Sequence, residues 1–299
     1  DVDVADFDRN TALWWAACSG AVAPLPVQLV KLLLDAGANT EATNNAGDTP
    51  LAGAVRIGAV ACVEALLNAN ASVDTACRGA SALFAAVAAD QLSSLQTILE
   101  ARADADATDW EGATPLIRGA QAGRASCVSV LLDANANLEA IDNGGTTALM
   151  VALQAGHFDC ARLLVDRNAD LEARDISGRT ALMYAAKNGK LECMTLLIDA
   201  KANVSARNHD NATALHAVVG RTGAGCAERL VQAKADLEAR DSDGRTALDY
   251  AALQEYPSMV QELLQEKLDF ARLDAVDMVK AIVASGSSGA VRDKLAACL

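Results

Sequence analysis

The side chains able to do chemistry in this chain are eight cysteines, three histidines and an excess of carboxylates, 39 Asp and Glu against 25 Lys and Arg. Cysteines can bridge, hold a metal or act as nucleophiles beside a histidine, and paired carboxylates can move a proton. Each chemistry needs its residues to converge, and each leaves a spacing signature. The sequence has no C-x-x-C pair, no H-E-x-x-H and no G-x-x-x-x-G-K-[ST]. It shows regularity instead: Cys127, Cys160, Cys193 and Cys226 stand 33 residues apart, with Cys62 another 65 upstream. Residues repeated at a fixed interval line up along a molecule rather than meeting in a pocket. The carboxylates also recur, and His157, His209 and His216 are scattered. No catalytic residue, metal ligand or cofactor is therefore expected. The N-x-[ST] triplets at Asn70, Asn203 and Asn211 read as chance.

Stepping from the cysteines to what must position them, the same interval governs the whole sequence. "LEARDISGRTAL" at 171–182 returns as "LEARDSDGRTAL" at 237–248. Anchored on its Thr, the frame reads Thr11, Thr49, Ser81, Thr114, Thr147, Thr180, Thr213 and Thr246, with gaps of 38, 32 and then 33 throughout. A period near 33 is the mark of a solenoid. The Thr suits a helix N-cap, and Pro50 and Pro115 suit the first helical position. "PLIRGAQAG" and "ALMYAAKNG" predict a two-turn helix stopped by Gly123 or Gly189. A second helix, such as "CVSVLLDA", and a polar turn, such as "NANLEAIDNGG", complete the unit. The first unit has about five extra residues in "GAVAPLPVQLV", and the third has Asp90 where the others have Gly.

"DWEGATPLIRGAQAG", "DNGGTTALMVALQAGH" and "DSDGRTALDYAA" make the chain resemble the ankyrin repeat family, whose pattern is D-x-x-G-x-T-P-L-H-x-A-A-x-x-G-H. The resemblance covers residues 1–268. It implies an all-α solenoid of about eight helix–turn–helix layers with protruding hairpins and a concave face. Residues 269–299 lack the Thr frame and read as a degenerate capping unit. "DVDVAD" matches a unit's closing loop, so the chain is expected to start just after a preceding unit or cap. The family has Val or Ile where this chain has its five regular cysteines, which implies reduced core thiols. It also implies a hydrogen bond from His216 to Thr213.

The resemblance further implies a scaffold or adaptor that binds a protein partner through hairpin tips and the exposed ends of first helices. Carried over position by position, the expected contact residues are Trp15, Arg56, Trp110, Glu111, Arg118, Gln121, Ile176, Arg179, Tyr184, Lys187, His209, Arg221 and Tyr250, with Phe7 on the first tip. Trp, Tyr and Arg are the usual interface anchors. Ala88 and Ala89 make the third unit look like a weak contact zone. The alternatives are a regulatory or targeting segment of a larger enzyme, or a fixed subunit of an assembly.

Two frame lines carry charge. Glu41, Asp74, Asp106, Glu139, Glu172 and Glu238 form an acidic line interrupted at Ser205, with Arg174, Arg207 and Arg240 two residues further on. It reads as a solvated edge or as a track for a basic partner. The net charge of −14 disfavours nucleic acid and anionic lipid. No apolar run approaches the roughly 18 residues of a spanning helix. Unpaired cysteines suit a reducing compartment, the cytoplasm or alternatively the nucleus.

Overall fold

The structure is a computed structural model that describes residues 1–19, 25–74, 81–219, 225–254, 256, 259–260 and 263–264. Among these the helices come in successive pairs: α1 (Ala12–Ala17) with α2 (Leu25–Asp35), α3 (Pro50–Arg56) with α4 (Val60–Asn68), α5 (Ala82–Ala88) with α6 (Leu92–Glu100), and α7 (Pro115–Gln121) with α8 (Ala125–Asp133). There follow α9 (Ala148–Ala155) with α10 (Phe158–Asp166), α11 (Ala181–Lys187) with α12 (Leu191–Asp199), α13 (Ala214–Val218) with α14 (Cys226–Gln232), and α15 (Ala247–Leu253). The expected capping segment 269–299 lies outside the described residues.

The frame Thr starts first helices as its chemistry predicts. Thr11, Thr49 and Thr114 accept from the N–H of Trp14, Ala52 and Ile117, respectively, each in a β backbone conformation just ahead of the helix. Thr246 adds a reciprocal bond from Asp249 that closes a capping box. Thr180 and Ser81 differ: both hydroxyls are buried without a partner. First helices stop where a residue turns left-handed, at Gly58, Gly123, Gly156 and Gly189. In the third unit Asp90 adopts the same conformation, with φ 58°, so the helix ends there without its glycine. Its carboxylate is held by Arg124 Nη1 and Cys127 Sγ, both at 3.3 Å.

The chain divides into two compact units, Asp1–Val151 and Ala152–Leu299, the boundary falling inside α9. In the first, first helices stack as α1, α3, α5 and α7, and second helices as α2, α4, α6 and α8. Leu13, Leu51, Leu66, Leu83, Leu95, Leu116 and Leu131 are fully buried between them. Alanines let the first helices approach closely, and Ala54, Ala86 and Ala120 have no exposed surface. A Cβ on Gly53 would meet the Cys18 and Trp14 side chains, so a larger residue there requires Cys18 to move. In the second unit α11, α13 and α15 form one row and α10, α12 and α14 the other, around Leu164, Leu182, Leu197, Leu215 and Leu230. The regular cysteines are reduced, outside any disulfide, at 0–3% exposure, and occupy core positions of second helices. Burial pushes the Cys160 thiol up to about 11, which makes it an inert apolar filler rather than a nucleophile.

Candidate partner interface

Among the described residues, seven hairpins are organised by one polar side chain five residues before the frame Thr. In Asp175 one oxygen accepts the N–H groups of Ser177 and Arg179, both at 2.8 Å. Asp6, Asp109, Asp142 and Asp241 do the same two and four residues ahead, and Asn44 and Asn208 copy it with an amide oxygen. This is the Asx-turn geometry that lets a short polar side chain stand in for backbone.

The second carboxylate oxygen reaches the residue four beyond the Thr, on the first helix. Asp6 accepts from Trp15 Nε1 at 2.9 Å, Asp109 from Arg118 Nε at 2.7 Å, Asp175 from the Tyr184 hydroxyl at 2.8 Å and Asp241 from the Tyr250 hydroxyl at 2.6 Å. Where that helix position cannot donate, as at Gly53 and Ala217, the hairpin position is Asn44 or Asn208 rather than Asp. The exception is Asp142, opposite Val151, whose free oxygen takes the Thr146 hydroxyl instead. Hairpin and helix residues are thus matched nine positions apart.

This matching changes the standing of several expected contact residues. Tyr184, expected at an exposed helix end, is 6% exposed, its hydroxyl tied to Asp175 and its ring under the Arg179 guanidinium at 5.1 Å. Burial opposes ionisation of Asp175, but the Arg179 N–H, the Tyr184 hydroxyl and the Arg179 guanidinium outweigh it and hold the carboxyl below its ordinary range. Tyr250 is tied likewise to Asp241, and this bond, ahead of burial, raises the phenol above its usual value. Arg118 is clamped between Asp109 and Glu111 and donates to Gln121 at 2.9 Å. Arg56 pairs with Asp48 at 2.6 Å. Trp15 is half exposed although its ring nitrogen is engaged. Lys187 is exposed at the end of α11, and Arg221 lies outside the described residues.

The hairpin tips are different. Phe7 is fully exposed, Trp110 74% and Ile176 70%, and His209 is also exposed. These side chains project from a fixed backbone, because neighbouring tips are hydrogen-bonded. In the first unit Asn45 N–H donates to Asp8 O and Asn143 N–H to Glu111 O, both at 2.9 Å. In the second, His209 N–H donates to Ser177 O at 3.0 Å and Ser242 N–H to Asp210 O at 2.8 Å. His216 also works internally, through Thr213 at Nδ1 and the Arg245 carbonyl at Nε2, as the resemblance implied.

The acidic line has a structural occupation that the sequence did not suggest. Glu41 accepts from Ser72 N–H at 2.9 Å, Asp74 from Asp104 N–H at 3.2 Å, Asp106 from Asn137 N–H at 2.7 Å and Glu172 from Asn203 N–H at 2.7 Å. Asp3 does the same for Asn39. The arginines stitch carbonyls in parallel, Arg174 to Arg207 O at 2.7 Å and Arg207 to Arg240 O at 2.8 Å. The only sequence signal for this was the interval itself. Among the described residues no group of three or more His, Cys, Asp or Glu side chains is placed to hold a metal, and no helix is long and apolar enough to cross a membrane.

Comparison with known proteins agrees with this architecture. The family model for ankyrin repeats in three copies matches residues 21–109, 83–175, 142–208 and 182–277. The solved ankyrin repeat domain of Bcl-3, a member of the IkappaB protein family, is similar with a TM-score of 0.66 and 30% identity over 73% of this chain and 99% of its own. The human ASB11 ankyrin repeat domain gives 0.63 and 27% over 75% of this chain and 98% of its own. No curated protein matches the sequence. Matched hairpins, paired helices and family model together place the chain in the ankyrin repeat family, a general protein-interaction fold whose relatives here are interaction domains rather than enzymes.

Proposed function

We propose that the chain is a protein-binding scaffold or adaptor that grips its partner through the hairpin tips. The observation that carries this reading is the exposure of Phe7, Trp110 and Ile176 on tips whose backbones are fixed by bonds to neighbouring hairpins. A large apolar ring in water has no internal task, and a rigid mount spares the ordering cost of binding. Lys187 and His209 add polar contacts, whereas Tyr184, Arg118 and Tyr250 support the tips from behind. The excess of acid, with a net charge of −14, favours a basic partner surface.

The test is affinity capture from native extract with the intact chain and with Trp110→Ala and Ile176→Ala. A partner retained by the intact chain should fall at least tenfold with either variant while the melting temperature stays unchanged. Retention of every captured protein by both variants would remove the tips as the binding surface. Loss of the complex as salt rises would point to charge steering, and a salt-resistant stoichiometric complex to a fixed subunit.

A further inference from the structure

Three first helices carry an aromatic residue four positions beyond the frame Thr: Trp15, Tyr184 and Tyr250. Each donates to the hairpin carboxylate nine residues earlier, Asp6, Asp175 and Asp241. In two of the three, the residue just before the Thr is an arginine laid over the ring. Arg179 stands 5.1 Å from the Tyr184 centroid, and Arg245 5.6 Å from that of Tyr250. Carboxylates hold both guanidiniums in place. Arg179 Nε lies 2.7 Å from Asp175, and Arg245 Nη1 lies 3.5 Å from Asp243, three residues before its Thr. Ring and carboxylates together make a seat for a guanidinium, whose plane stacks on the aromatic face while its N–H groups meet oxygen.

The first repeat has the same ring and carboxylates without the arginine. Asn10 occupies the position of Arg179 and Arg245, and it turns inward at 7% exposure. Its amide donates to Asp6 at 3.2 Å and accepts from Asn44 at 3.0 Å. Trp15 is left 56% exposed, against 6% for Tyr184. Trp14 meets it edge to face at 5.3 Å, and among the described residues no cation lies over the Trp15 ring. Asp8, at the position of Asp243, is exposed, and its carboxylate has no partner among the described residues. The first eight residues hold four Asp and no Lys or Arg, which favours positive charge from outside. Donating its N–H to a carboxylate also leaves the Trp15 indole richer in electrons. The same bond is the largest influence holding Asp6 below its ordinary carboxylate range.

We propose that Trp15, Asp6 and Asp8 form an open arginine seat, filled by an arginine side chain of the protein partner where Arg179 and Arg245 fill the other two from within. It rests on the reading of the chain as a protein-binding scaffold and adds the chemistry of one contact. The partner's guanidinium stacks on the indole, and its N–H groups meet the two carboxylates.

The test titrates the full chain with N-acetylarginine amide, its lysine counterpart and the uncharged isostere N-acetylcitrulline amide. Binding is read from the Trp15 indole N–H signal in proton–nitrogen spectra, assigned by its loss in Trp15→Phe. The arginine amide should shift that signal saturably, and the citrulline amide should bind about fivefold more weakly or worse. The lysine amide should also bind more weakly than arginine, since an ammonium cannot stack. Asn10→Arg, which gives the ring an arginine of its own, should weaken the arginine amide by a similar factor. Asp8→Asn should act in the same direction from an exposed position, so it carries the test if Asn10→Arg lowers the melting temperature. No shift with the arginine amide, equal binding of the citrulline amide, or indifference to both variants overturns the seat. A lysine amide that binds as tightly overturns the guanidinium as its occupant. If the amides fail while native capture still depends on Trp110, the seat alone falls. If the arginine amide binds but capture ignores Trp110 and Ile176, the tip reading falls and the seat stands.

Discussion

At the scale of single residues, the same residue type does unlike work depending on what faces it. Thr246 and Thr180 occupy one frame position, yet Thr246 Oγ1 bonds Asp249 while Thr180 Oγ1 is buried without a partner. Thr246→Val should therefore cost about 1 kcal/mol in denaturant unfolding, and Thr180→Val less than about 0.5 kcal/mol, since it removes only an unsatisfied hydroxyl. Equal costs would show that the cap is set by backbone conformation alone. Asp175 is the more demanding case, serving two N–H groups, a guanidinium and a phenol. Asp175→Asn should destabilise by about 1–2 kcal/mol at neutral pH. Because the folded carboxyl sits below its ordinary 3.8, this contribution is complete above that pH and fades as pH falls through the lower folded value. The gap between wild type and Asp175→Asn in a pH series of unfolding curves should close only under strongly acid conditions.

At the scale of the element, each layer is a helix pair whose ends are fixed by residues in the left-handed region. After second helices this place is held by Asn70, Arg102, Asn135, Asn168, Lys201 and Lys234, where Gly37 serves the first pair. A side chain there costs about 1 kcal/mol relative to glycine, less for Asn. Lys201→Gly should accordingly raise stability by about 0.5–1 kcal/mol, measured by chemical unfolding. Gly178 is the opposite case: φ is +75°, and a Cβ would lie 3.0 Å from His209 N. Gly178→Val should destabilise by more than about 2 kcal/mol and displace the neighbouring hairpin. The carboxylate line also acts at this scale: Glu41, Asp74, Asp106 and Glu172 each accept from a backbone N–H of the layer about 31 residues on, as Glu172 does from Asn203. Glu172→Gln keeps an acceptor and should cost less than Glu172→Ala, the order expected if the rung serves folding.

At the scale of the molecule, stability in a repeat array is close to a sum over layers and their interfaces, so substitutions divide into those that weaken the stack and those that leave it intact. Tyr184→Ala belongs to the first kind, since it empties a buried site and strands Asp175. Trp110→Ala belongs to the second, because its ring is in solvent. The melting temperature should fall by several degrees for Tyr184→Ala and not move for Trp110→Ala. Repeat position and residue type together had marked both as contact residues.

The repeat, the helix pairs and the all-helical class were legible in the sequence. All of these follow from local rules that a Thr, a Pro, a Gly and an apolar interval express within one unit. The sequence also carried the matching of hairpin acid and helix donor, legible in retrospect as Asp109 with Arg118 and Asp175 with Tyr184 nine residues on. Packing, by contrast, settles which side chains stay exposed. Tyr184 turns inward because its hairpin folds back over its own helix, and Glu172 is occupied because the next layer brings an N–H beside it. Each of these facts depends on a neighbour 9 or 31 residues away, whose approach is fixed by packing rather than by the residues in question.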